Sequence, residues 1–166
     1  MAHSTPSLGT ASLGTGDTLD RAEAICAHRG TRLTPLRRHV LGLILESDTP
    51  VGAYDLLDRL RATHKGAAPP TVYRALDFLV EQGLIHKVER LSAFVGCVHG
   101  LEDDHGQAGH AHVVQFLICQ RCSKVTELSD PEIGLALSRA ARSQGFSVQG
   151  STVEADGICA ACASAA

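Results

Sequence analysis

Two cysteine pairs constrain this chain more than anything else in it. Cys119 and Cys122 form one C-x-x-C, and Cys159 and Cys162 form a second. Such a turn presents two thiolates to one ion, and zinc prefers four ligands in a tetrahedron, so two turns complete one closed site. The first pair follows the apolar stretch Val113–Ile118, and closing it on the second ties the intervening segment end to end. Four protein ligands leave no open position, so the expected zinc is structural. Redox pairs and buried free thiols are the competing readings. A thioredoxin-type pair needs a βαβ setting, which neither pair has.

The remaining composition explains why a metal would be needed. A chain of 166 residues makes one ordinary domain or two small ones. It is 44% apolar but holds no Trp, two Tyr and four Phe. Small domains poor in large rings draw stability from a metal or a partner subunit. Met1–Gly16 has no Lys, Arg, Asp or Glu and no long apolar stretch; it reads as a disordered tail rather than a signal peptide. No run approaches the roughly 18 apolar residues of a membrane span. The expected compartment is the cytoplasm, where paired cysteines read as metal ligands or redox groups rather than disulfides. Net charge is −3, but residues 1–97 carry 11 Lys+Arg against 10 Asp+Glu, and residues 98–166 carry 4 against 8. A nucleic-acid partner needs a local basic face, which a near-neutral first half permits.

The first half reads as helices. Thr18–Arg29 places Leu19, Ala22, Ile25 and Cys26 on one face and stops at Gly30. Cys26, on that apolar face with no donor nearby, reads as a core residue. Thr34–Pro35 is a cap followed by a first-turn proline, and Leu36, Val40, Leu43 and Ile44 follow at helical spacing. A third helix spans about Ala53–Arg61. Pro69–Pro70 breaks the chain, and a fourth helix begins near Thr71 and ends at Gly83. Leu84–Val88 and Ser92–Val98, either side of Glu89–Arg90, are a hairpin. Helix, turn, helix, hairpin is the order of a winged helix-turn-helix. Thr71, Tyr73 and Arg74 are then free at the start of the recognition helix, where arginine can grip guanine O6 and N7.

After a polar stretch, Gly100–Gly109, come strands at Val113–Ile118 and Lys124–Leu128. Ser129 and Glu132 form a capping box for a helix that buries Ile133, Leu137, Ala140 and Ala141 and stops at Gly145; Phe146–Val153 reads as the last strand. A second set of metal donors is scattered through this region: His86, Cys97, His99, His105, His110, His112 and Glu127. Spacing does not choose among them.

Several motifs together resemble the ferric uptake regulator family of metal-sensing repressors, and within it the zinc-sensing branch. They are Arg32-Leu33-Thr34-Pro35, Ala53-Tyr54-Asp55-Leu56-Leu57, the run Pro69–Leu79, His86-Lys87-Val88-Glu89 and the two cysteine pairs. The resemblance covers about Leu19 to Cys162. It implies an α+β fold: an N-terminal winged helix-turn-helix (17–97), a hinge with a His-rich insert (98–112) and a C-terminal α/β dimerisation domain (113–166) with a small antiparallel sheet plus helix. It implies a cytoplasmic homodimer that is not an enzyme, binds an A·T-rich palindromic operator in double-stranded DNA when zinc-loaded, and represses zinc-uptake genes.

The resemblance also selects from the second donor set. Its regulatory zinc ligands fall on His86, Cys97, His112 and Glu127, giving two Zn²⁺ per subunit with the four-cysteine site. Two imidazoles, a thiolate and a carboxylate neutralise the ion, whereas an empty site leaves two repelling anions. Base contacts fall on Tyr54 and Arg74, and a dimer–dimer contact on Asp58 and Arg61. The insert departs from the pattern: His110 competes with His112 as third ligand, and His99, His105 and His110 belong either to a solvated loop or to a third zinc.

Iron- or peroxide-sensing relatives are the alternative within the family. Iron sensors usually carry His-x-His before the first cysteine pair, where this chain has Val113–Ile118. A zinc hydrolase or deaminase is the alternative outside it, but neither H-E-x-x-H nor H-x-E with P-C-x-x-C occurs. Bound water at the second zinc would favour the enzyme, and four protein ligands would exclude it.

Overall fold

The computed structural model describes residues 14–97 and 113–165. Helices α1 (Thr15–His28), α2 (Pro35–Leu45), α3 (Ala53–Arg61) and α4 (Pro69–Glu81) pack around Val40, Leu41, Leu56, Leu60, Val72, Leu76 and Leu79, all essentially without solvent exposure. Cys26 is fully buried in this core, as its apolar face requires, and burial raises its thiol pKa. The Thr34 hydroxyl caps α2 by accepting the Arg37 N–H at 3.5 Å. Arg38 pairs with Asp20 and Glu23, and the Arg29 guanidinium donates to the Gln82 carbonyl, so α1 is tied to α2 and to the end of α4.

Two helix starts move from the sequence reading, and one strand is new. Helix α1 starts at Thr15, inside the stretch read as tail; Met1–Leu13 lie outside the described residues. Helix α4 starts at Pro69, not near Thr71. Proline lacks only an N–H that the first helical turn leaves unpaired anyway, so Pro69–Pro70 open the helix rather than precede it. Strand β1 (Val51–Gly52) is too short to leave a periodic signal.

Strands β2 (Ile85–Val88) and β3 (Ala93–Gly96) form the expected hairpin, and β1 pairs with the far side of β3. The hairpin turn is a single 3-10 turn, Glu89–Leu91, closed by Ser92 at φ 48°.

A second sheet holds β4 (Val113–Cys119), β5 (Val125–Leu128) and β6 (Ser151–Gly157) in the order β5-β4-β6. Pair β4–β5 is antiparallel, as expected; β6 adds to the other edge of β4 in parallel. Helix α5 (Pro131–Ser143) supplies the crossover that a parallel partner requires. Its cap is Asp130, whose carboxylate accepts the Glu132 N–H at 2.8 Å, not Ser129. None of its residues is buried, and Leu135 is 58% and Leu137 37% exposed, so the expected burial of Leu137 and Ala140 does not occur within one chain. The last strand, Ser151–Gly157, overlaps only the end of the expected Phe146–Val153, and Phe146 is exposed. A short helix, α6 (Ala160–Ser164), follows β6. No helix among the described residues is long and apolar enough to cross a membrane.

The four-helix core should respond as ordinary close packing does. Leu76→Ala, at a fully buried position, is expected to cost about 2–5 kcal/mol, read as a fall in the urea midpoint at unchanged slope.

Candidate functional site

The four sequence-selected cysteines meet. Cys119 ends β4, Cys122 sits in the turn to β5, Cys159 precedes α6 and Cys162 lies within it. Their sulfurs all lie within 4.8 Å of one another. The register explains how: β4 and β6 run side by side with Cys119 opposite Gly157, which brings the second turn over the first. Ser123, at φ 57°, lets the first turn fold back, and the Ser123 N–H donates to the Cys119 carbonyl at 2.9 Å. The sulfurs of Cys122 and Cys159 are 3.8 Å apart. A tetrahedral zinc with bonds of about 2.3 Å needs sulfurs about 3.8 Å apart, so the donor set fits that ion.

Electrostatics favours the same occupant. The Cys119 thiol is lowered to about 6, first by the backbone N–H of Cys159 and then by those of Cys122 and Arg121. The Cys162 thiol is raised to about 12, chiefly by hydrogen bonding with Cys159 and Cys122. Cys119 is thus the sulfur most ready to be a thiolate, and Cys162 the one that holds its proton. A divalent cation would release the Cys162 proton on binding. Arg121, which the sequence did not single out, donates to the Cys162 carbonyl at 2.7 Å and so fastens one turn to the other.

A second cluster joins His86, Cys97 and Glu127, again with one donor atom of each within 4.8 Å of the others. His86 is on β2, Cys97 follows β3 and Glu127 is on β5, so the hairpin and the second sheet both contribute. His86 Nε2 lies 3.0 Å from the Cys97 sulfur and 3.8 Å from Glu127 Oε1. Cys97 is buried, and the side chains of His86 and Glu127 are 20% and 15% exposed. A neutral imidazole, a thiolate and a carboxylate held this close form a ready site for a borderline-soft divalent ion. His112, with His99, His105 and His110, lies outside the described residues.

Helices α3 and α4 also present side chains to solvent. Tyr54 is 67% and Tyr73 44% exposed, and Arg74, next to Tyr73 in sequence, is exposed too. Thr34, Arg37, Thr71 and Arg74 line a groove of about 260 Å³ between the starts of α2 and α4. Arg37 is held over the Phe78 ring at 3.6 Å. Asp58 and Arg61 face each other across one turn of α3 at 3.5 Å.

A helix-turn-helix with its hairpin, a cysteine-clamped sheet and a donor cluster between them describe a metal-responsive regulator. The chain belongs to the Ferric uptake regulator family, whose profile matches residues 28–155. It is 43% identical to the Zinc uptake regulation protein of Escherichia coli (strain K12) over 148 residues, covering 89% of this chain and 82% of that one. Its fold is similar to that of a zinc uptake regulator complexed with zinc and DNA, with a TM-score of 0.83 at 41% identity, covering 93% of this chain and 98% of that one. Holo XcZur is also similar, with a TM-score of 0.79 at 43% identity, covering 91% and 99%.

Removing one sulfur tests the first cluster. Cys122→Ser should lose its zinc and, with it, folding free energy on the order of 10 kcal/mol. The expected outcome is monomer, aggregate or poor expression, read by zinc counting and size-exclusion chromatography. A normal dimer with full metal content would refute a structural role.

Proposed function

We propose that this chain is a zinc-responsive transcriptional repressor: a homodimer that binds operator DNA when zinc-loaded and switches off zinc-uptake genes. The observation that carries it is the cluster of His86, Cys97 and Glu127, because it spans the hairpin and the sheet beneath it. Zinc there has only to bias the placement of the DNA-reading helices, for which a differential affinity of a few kcal/mol suffices. In this reading the regulatory ligands are His86, Cys97, His112 and Glu127, and the structural ligands are Cys119, Cys122, Cys159 and Cys162. Two zinc ions per subunit result, with a third if His99, His105 or His110 binds one.

The division into a DNA-binding domain (17–97), a hinge (98–112) and a dimerisation domain (113–166) follows from the same assignment. Exposed Leu117, Leu128, Leu135, Leu137 and Phe146 support burial of the C-terminal part against a second copy. Tyr54, Thr71, Tyr73 and Arg74 read the DNA, with an A·T-rich palindrome matching a two-fold dimer. Asp58 and Arg61, partly exposed on α3, are available to pair between dimers. The protein works in the cytoplasm, where its thiols stay reduced.

The named relatives support zinc over iron or peroxide as the signal, and the Cys97 thiolate suits zinc better than an oxygen-rich iron site. Family and relative alike are regulators, which counts against a zinc hydrolase or deaminase.

Operator binding measured against buffered free zinc and free ferrous iron tests the reading. Zinc should act at far lower free concentration than iron. Cys97→Ser should keep the dimer and the four-cysteine zinc yet lose the zinc response. A variant that unfolds would mean the two clusters have exchanged roles.

Base recognition is tested separately. Arg74→Ala is expected to cost about 1–3 kcal/mol on the operator and much less on random DNA. Equal losses on both would make Arg74 a phosphate contact.

A further inference from the structure

The hairpin is held on the second sheet at both edges, and only one edge uses metal donors. Phe116 on the central strand is paired with Glu127 on β5 and with Glu154 on β6, so the three form one row across the sheet. The next row on the same face is Val125, Ile118 and Asp156. Along the middle, Phe116 and Ile118 are buried against Val88, with Leu91 and Val95 packed around them. The Phe116 ring meets the His86 ring edge-on, with centroids 5.8 Å apart.

At the β5 edge, Glu127 faces His86 and Cys97. At the β6 edge, both oxygens of Glu154 are engaged by the hairpin turn. Oε1 accepts the Glu89 N–H at 2.7 Å and Oε2 accepts the Arg90 N–H at 3.1 Å. The Arg90 side chain then reaches on to Asp156, with Nε 2.8 Å from Oδ1. Two carboxylates thus flank one phenylalanine. Glu127 lies beside a buried thiol, and a bound cation would reconcile the two; Glu154 is satisfied by main-chain donors.

We propose that Glu154 and Asp156 form a second, metal-independent clamp on the hairpin, and that this clamp sets how much zinc is needed to hold the hairpin docked. The inference rests on the zinc-responsive reading above. Zinc ligands from two surfaces meet only when those surfaces are docked. Apparent affinity for zinc therefore scales with the fraction of molecules already docked. Glu154 and Asp156 raise that fraction without touching the metal. They are positioning residues: weakening them moves the zinc threshold, while the ligand set and the DNA-reading face are unchanged.

The test uses the full chain with Glu154→Ala and, as the milder change, Asp156→Asn. Operator binding is followed against buffered free zinc, and zinc per subunit is counted at saturation. The expected midpoint rises about tenfold for Glu154→Ala and about threefold for Asp156→Asn, in inverse proportion to the docked fraction that remains. Zinc content and operator affinity at saturating zinc should match the unmodified protein. Hydrogen exchange at the Glu89 and Arg90 amides should speed up in Glu154→Ala at low zinc. Unchanged midpoints overturn the clamp, as does a loss of saturated operator affinity at an unchanged midpoint. If Glu154→Ala fails to fold, Asp156→Asn alone decides by the same criterion. An unmodified protein that shows no zinc response would instead sink the underlying functional reading, which separates the two failures.

Discussion

The C-terminal part of this protein depends on the meeting of four sulfurs, because it has little else to hold it. Among its described residues only Gln115, Phe116, Ile118 and Cys119 are buried. Helix α5 buries nothing within the chain. A core that small cannot offset the conformational entropy of ordering some fifty residues at about 1–2 kcal/mol each for the backbone. The parallel register of β4 and β6 delivers the second cysteine turn to the first, and an ion of zinc's size bound between them would lock that register in return. Sheet and metal site are therefore one cooperative unit, as in other small domains whose metal binding is part of their folding.

The N-terminal part has the opposite character. Its helices close on a continuous apolar core, with buried leucines from each of α2, α3 and α4. It has the means to fold without a metal. The two parts are joined by a thin apolar contact, Val88 against Phe116 and Ile118, and by polar groups on either side of it. A contact that small is suited to be biased rather than permanent. That places the donor cluster of His86, Cys97 and Glu127 where a modest binding energy has the largest structural effect.

Local signals in the sequence were reliable where one short segment determines its own conformation. The Thr34 cap, the helix of Ala53–Arg61 and the β2–β3 hairpin all formed where their residues put them. Errors arose where two local rules compete. Pro69–Pro70 read as a break because proline stops helices, yet it also starts them. Ser129 and Asp130 are both good caps, and the adjoining proline selected the second. The last strand was set too early because Phe146 and Val148 look like strand residues. The chain beyond Gly145 in fact runs on to pair Ser151–Gly157 with β4.

The sequence alone singled out the four cysteines whose sulfurs come together, since C-x-x-C spacing is itself a geometric statement about two thiolates. It also determined the helix-turn-helix order and the exposed Tyr73 and Arg74, because helical periodicity fixes which side chains are left outside. Spacing did not decide which donors meet away from those pairs: the family resemblance pointed to His86, Cys97 and Glu127, and the tertiary structure brings them together. His86, Cys97 and Glu127 are separated by a whole strand pairing and a domain contact, and no spacing rule reaches that far. Glu154 and Asp156 were invisible for the same reason. Their alternation marks one face of a strand, but what that face touches depends on β6 lying parallel to β4 and on the hairpin turn coming to rest above it. Side-chain chemistry is local, and contact between distant strands is a property of the fold.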